Sequence, residues 1–131
     1  MAAILLDTTV IIDLLRGRGD ALRRLEALRR AGDVPYVCAI NVEELWRGAR
    51  GNAEEKKLIQ LLEGLRVVTL GSEEGERAGR WRRDFARKGV TLGQAACLIA
   101  AAAVAIGAPL ATSNTRDFPM PELVVEDWAA P

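Results

Sequence analysis

The sequence predicts an α/β protein whose mostly parallel sheet of four or five strands is covered by helices on both faces. Three observations lead there. Short runs rich in branched apolar residues recur along the chain. The segments between them carry apolar residues at helical spacing, as in Leu22, Leu25 and Leu28. Finally, 131 residues with 50% hydrophobic and 27% charged side chains can bury the core of one domain spanning residues 1–131, which excludes a disordered or low-complexity chain.

The first strand is Ala3–Leu6, and Thr9–Leu15 follows as a short helix. Asp20–Ala31 is the second helix, with Asp20 as its expected N-cap. Val34–Cys38 supplies the second strand. Behind it Asn41–Arg50 opens on a capping residue, and Ala53–Leu62 turns Leu58, Leu61 and Leu62 inward. Val67–Leu70 is the third strand, after which Ser72–Lys88 starts at a serine and stops at Gly89. Thr91 and Gln94 have the spacing of a capping box for the last long helix, which ends at Gly107. Pro109–Thr112 then forms the fourth strand and Leu123–Val125 a weaker fifth.

Composition removes several chemistries. No histidine is present, so Ser-His and Cys-His hydrolases, His-based zinc enzymes and imidazole-pair ribonucleases are excluded. Acid–base work falls to carboxylates, water or a metal. Cys38 and Cys97 stand in apolar segments far apart and read as buried thiols. The opening residues lack the basic region of a signal peptide, and the apolar run 95–106 falls short of the ~20 residues a membrane span needs. The expectation is a soluble cytoplasmic protein with no membrane partner. Eighteen basic residues cancel 18 acidic ones, yet their distribution is uneven. Arg16, Arg18, Arg23, Arg24, Arg29 and Arg30 crowd one segment, and Arg77, Arg80, Arg82, Arg83, Arg87 and Lys88 another. These runs read either as solvated helix faces or as two basic edges of a phosphate-binding groove. Glycine-rich nucleotide loops are missing, and Thr69-Leu70-Gly71-Ser72 stands where a phospho-receiver domain needs an aspartate.

In parallel sheets, ligands bind beyond the carboxyl ends of the strands. Asp7 directly follows the first strand and also reads as the N-cap of the short helix. Glu44 lies three residues after Asn41, where it also reads as the far end of a capping box. Asp117 follows the fourth strand and doubles as a turn residue. Three carboxylates on one sheet edge repel one another unless a cation offsets them, and hard oxygen donors favour Mg²⁺ or Mn²⁺.

The series Leu6-Asp7-Thr8-Thr9, Glu44-Leu45-x-x-Gly48, Cys97-Leu98-Ile99-Ala100-Ala101 and Thr112-x-Asn114-x-x-Asp117-Phe118 resembles the PIN-domain ribonucleases. The order and intervals are most similar to those of VapC-type toxins from bacterial toxin–antitoxin pairs, over nearly the whole chain. The resemblance implies a PIN-like three-layer α/β sandwich and a toxin endoribonuclease that cleaves RNA phosphodiester bonds by Mg²⁺- or Mn²⁺-assisted hydrolysis. It implies that Asp7, Glu44 and Asp117 hold the metal, with Asn114 and the nearby Thr112 supporting them by hydrogen bonds. A metal-bound water would be the nucleophile, oriented or deprotonated by Glu44. The implied partners are the RNA substrate, a small cognate antitoxin and a second copy in a homodimer. Leu14, Leu15, Leu45 and Trp46 are the expected anchors for the antitoxin beside the acidic groove.

The chain departs from the family at one place. Two residues before the leucine of Leu98-Ile99-Ala100-Ala101 the family normally has an aspartate, and here Ala96 stands there, at the expected start of the helix's second turn. No acid occurs between Gly89 and Ala105. Cys97 is no substitute, because successive side chains diverge by about 100° around a helix. Ala96 therefore reads as the engineered inactivation of a toxic nuclease, with natural loss as the alternative, at a position where the family has a metal ligand. The competing functional reading is a catalytically silent PIN-like module that binds RNA or an antitoxin peptide.

Overall fold

The structure, a computed structural model, describes residues 1–129. Its elements run β1 (Ala3–Leu6), α1 (Thr8–Leu15), α2 (Gly19–Arg30), β2 (Val34–Cys38), α3 (Ala39–Gly48) and α4 (Gly51–Glu63). They continue with β3 (Arg66–Val68), α5 (Ser72–Arg87), α6 (Gln94–Ala105), β4 (Leu110–Thr112), a 3₁₀ turn (Thr115–Asp117) and β5 (Val125–Asp127). The five strands pair in the order β3-β2-β1-β4-β5, all parallel. This is the predicted α/β architecture.

Successive strand residues face opposite sides of a sheet, and β1 shows the consequence. Ile4 and Leu6 join Val10 and Ile11 of α1, Leu25 of α2, Leu45 of α3 and Leu58 of α4 in one core. Leu5 joins Trp81 of α5 and Ile99 to Ala103 of α6 in the other. The sheet is the middle layer of three. Helix α6 buries side chains nearly all round, and its alanines allow close approach of neighbouring backbones. Left-handed glycines follow the ends of α5 and α6, Gly89 at φ 81° and Gly107 at φ 65°.

Several boundaries depart from expectation. Helix α3 starts at Ala39, because Asn41 serves from inside the first turn: its Oδ1 accepts the Cys38 N–H at 2.9 Å. Helix α2 starts at Gly19, so Asp20 stands in its first turn, paired with Arg23, and Arg18 is the backbone N-cap. Leu22 is exposed, and Ala21 and Leu25 take the inward face. Helix α6 starts at Gln94 with Gly93 as N-cap, and Thr91 and Gln94 form no box. Burial of Leu92 in the core holds that segment outside the helix. The edge strands β3 and β5 shift because their partners set the register, as in Cys38↔Val68 and Thr112↔Asp127. Cys38 and Cys97 are buried free thiols. No helix among the described residues is long and apolar enough to cross a membrane.

Candidate active site

Strand β1 delivers Asp7 to the carboxyl edge of the sheet, where its N–H donates to the Ala111 carbonyl at 2.8 Å. The residue is the N-cap of α1 by backbone position, with its carbonyl accepting from Val10 and Ile11, but its side chain makes no capping bond. Instead Oδ2 accepts from Thr112 Oγ1 at 2.7 Å and from Thr9 Oγ1 at 3.1 Å. Thr112 ends the neighbouring strand β4 and is fully buried. The two hydroxyls are held in turn, Thr112 accepting the Asn114 N–H at 3.0 Å and Thr9 the Ser113 N–H at 3.1 Å. Asp7 is only 6% exposed. Burial pushes its carboxyl above the usual range, the bonds from Thr112, the Thr8 backbone and Thr9 oppose that, and the charge of Glu44 adds to it.

Glu44 stands half-buried on α3. Its Oε1 accepts from Thr8 Oγ1 at 2.7 Å, and Thr8 Oγ1 accepts from Asn41 Nδ2 at 3.0 Å. The capping-box reading of Glu44 is thus replaced: Asn41 performs that service, and Glu44 belongs to a link between α1 and α3. Asp117 is exposed in the 3₁₀ turn, where its Oδ2 accepts from Asn114 Nδ2 at 2.8 Å. Asn114 therefore joins the Asp117 turn to Thr112 and, through it, to Asp7. Thr8, Thr9, Asn41 and Ser113 had no assigned part in this network from sequence. The clue was available in hydroxyls directly after a strand-end aspartate, a position that favours side-chain bonding to nearby polar groups.

Ala96 is the third residue of α6, in its first turn rather than its second, and packs half-buried against the core that contains Cys38 and Cys97. Helix α6 runs back to start β4, so its first turn lies at the same sheet edge as Asp7. Asp7, Glu44 and Asp117 have the hard oxygens that Mg²⁺ or Mn²⁺ prefers. Among the described residues, however, no three acidic or thiol side chains converge as a metal-binding group. The three carboxylates share an edge without forming one coordination shell, so the residues present do not fit a complete metal centre.

A cleft of about 520 Å³ adjoins Glu44, with Ile12, Leu15, Leu45 and Leu58 as apolar lining and Arg16, Lys57 and Glu54 as charged lining. Two of the four expected antitoxin anchors differ from expectation, because Leu14 and Leu45 are buried in the core. Leu15 is half-buried in the cleft wall, and Trp46 is 39% exposed on α3.

A PIN-domain family model matches residues 4–120, and the chain belongs to the PIN-domain family, within its VapC group. It is similar to Ribonuclease VapC10 of Mycobacterium tuberculosis, with 34% identity over 98% of this chain and 95% of that protein. Among solved structures, VapBC2 of Rickettsia felis bound to a promoter DNA fragment shares the fold, with a TM-score of 0.86 and 23% identity over 96% of this chain and 98% of that one. A toxin–antitoxin complex from Klebsiella pneumoniae matches with a TM-score of 0.79 and 26% identity over 98% of this chain and 99% of that one.

Proposed function

We propose that this chain is a VapC-type toxin endoribonuclease whose hydrolytic centre is one carboxylate short at Ala96, and that its partner is a small antitoxin. The observation that carries this reading is the contrast across the sheet edge: Asp7 and Glu44 are oriented by Thr112, Thr9 and Thr8, whereas Ala96 offers no oxygen. The name of the Mycobacterium tuberculosis relative supports RNA as substrate. The Klebsiella pneumoniae complex supports an antitoxin as partner.

In this reading the hydroxyls fix the Asp7 carboxylate and keep it from rotating. Glu44, with Oε1 held by Thr8, keeps a defined position from which to take a proton from water. The cleft beside Glu44 accepts an antitoxin segment with apolar side chains toward Ile12 and Leu15. The catalytically silent reading is favoured by Ala96 itself, and one experiment separates the two. Ala96→Asp and the present chain are incubated with cellular RNA, with and without Mg²⁺ or Mn²⁺. Cleavage by Ala96→Asp alone, dependent on the divalent ion and on the order of a thousandfold or more faster, is expected. If Ala96→Asp folds at the usual melting temperature yet cuts no RNA at any metal concentration, the silent module takes the place of the nuclease.

A further inference from the structure

Most cations of the two arginine-rich segments are already engaged. Arg18 and Arg23 pair with Asp13 and Asp20, Arg80 with Glu76, and Arg83 and Arg87 with Asp84. Arg24, Arg77 and Lys88 lie over the rings of Trp128, Trp81 and Phe85. In the second segment, among the described residues, Arg82 alone faces neither a carboxylate nor a ring. Its Nε donates to the Leu92 carbonyl at 3.2 Å. That bond anchors the guanidinium and leaves both terminal nitrogens for solvent or a ligand.

The anchor also sets the location. Leu92 immediately precedes Gly93, the N-cap of α6, and the Arg82 charge reaches the Cys97 thiol, where it opposes the larger effect of burial. Arg82 therefore flanks the helical turn that carries Ala96. This turn contains no acid and Gly93 supplies no side-chain cap, so its free N–H groups add to the positive field of the guanidinium. Asp7 and Glu44 are held instead on the side of α1 and α3. A strand of RNA crossing the sheet edge from one side to the other meets acids first and then this cation.

We propose that Arg82 grips a phosphodiester of the RNA strand next to the one presented to Asp7 and Glu44, and so positions the substrate. The inference rests on the ribonuclease reading and names the group that holds its polyanion. The planar guanidinium suits the task, since its terminal nitrogens can donate to two non-bridging oxygens at once. A purely structural role, tying α5 to the segment before α6, needs only the Nε bond. Arg82→Gln retains an amide donor for Leu92 and removes the charge, and Arg82→Lys keeps the charge without the fork.

The test measures binding of a fluorescein-labelled single-stranded oligoribonucleotide to the full chain over a KCl series. Each phosphate contact on a single strand adds about 0.7 to the slope of log affinity against log salt. Arg82→Gln should bind several-fold more weakly at low salt and flatten the slope by about 0.7. Arg82→Lys should keep the slope with reduced affinity. Arg83→Gln, which removes a cation already paired with Asp84, should change neither. A constant unfolded fraction scales the apparent affinity equally at every salt and leaves the slope unchanged, so the slope carries the test. Full slope and affinity in Arg82→Gln would overturn the role of Arg82 while leaving the ribonuclease reading intact. Failure of the unsubstituted chain to bind RNA at any salt would overturn both.

Discussion

At the carboxyl edge of the sheet, α1 opens on Asp7, Thr8 and Thr9, whereas α6 opens on Gln94, Ala95 and Ala96. The first opening is knitted to two other segments, the end of β4 and helix α3. Thr112 and Thr9 hold Asp7, Thr8 holds Glu44, and Asn41 holds Thr8. The second opening contributes apolar packing and one exposed glutamine. The difference teaches that hydroxyls at or just beyond a strand end orient the carboxylates of the first opening, while the second has no hydroxyl to do the same. Half of the edge is preorganised for chemistry, at a cost in desolvation, while the other half carries only a cation on its flank.

The largest effect on the polar opening should come from Thr112→Val. It removes the 2.7 Å bond to Asp7 and the acceptor of the Asn114 N–H, both in the interior of the site. A loss of about 1–3 kcal/mol in urea unfolding is expected, the cost of leaving buried polar groups unpaired. Thr112→Ser, which keeps the hydroxyl, should lose less than half of that.

Asp7→Asn should act in the opposite direction on stability. Burial raises the Asp7 carboxyl above its ordinary 3.8, so the folded chain holds a proton that the unfolded chain has released over that interval. Stability from this group is complete below pH 3.8 and is lost as pH rises through the raised value. An amide oxygen still accepts from Thr112, and no charge is buried. Asp7→Asn should therefore melt a few degrees higher at pH 7, with the advantage fading as the pH falls toward 3.8. The same change should abolish cleavage in the Ala96→Asp background.

Glu44→Gln should have the smallest effect on the fold. A glutamine oxygen can accept from Thr8 as Glu44 Oε1 does, and the capping bond to Cys38 belongs to Asn41. The change in unfolding free energy should stay within about 0.5 kcal/mol. In the Ala96→Asp background cleavage should be lost nonetheless, and unchanged cleavage would return Glu44 to a structural role.

The central strands were legible in the sequence because each is a short apolar run between turn residues. Ala3–Leu6 and Val34–Cys38 occur with the expected limits. Edge strands and helix starts were less legible, for a physical reason: long-range partners decide them. Thr91 and Gln94 have capping-box spacing, yet Leu92 is drawn into the core and the helix waits until Gln94. Asn41 has the composition of an N-cap, yet it bonds backward from inside α3. The edge positions of Asp7, Glu44 and Asp117 followed from strand ends and spacing. The support from Thr112 was expected from the family resemblance, whereas that of Thr8 was not, because Thr8 meets Glu44 only once α1 and α3 have packed together.

With an acid at position 96, the first turn of α6 would supply the missing wall of an ion site at the Asp7 edge. Titration of Mn²⁺ into the present chain, Ala96→Asp and Ala96→Asp/Asp7→Asn, followed by calorimetry or electron spin resonance, addresses this without any RNA. The expected result is weak binding in the present chain, at least tenfold tighter binding in Ala96→Asp, and a return to weak binding in the double variant, since each carboxylate adds a hard oxygen to the shell. Equal Mn²⁺ affinity in the present chain and a folded Ala96→Asp would contradict the account, because the new carboxylate would then stand outside the site.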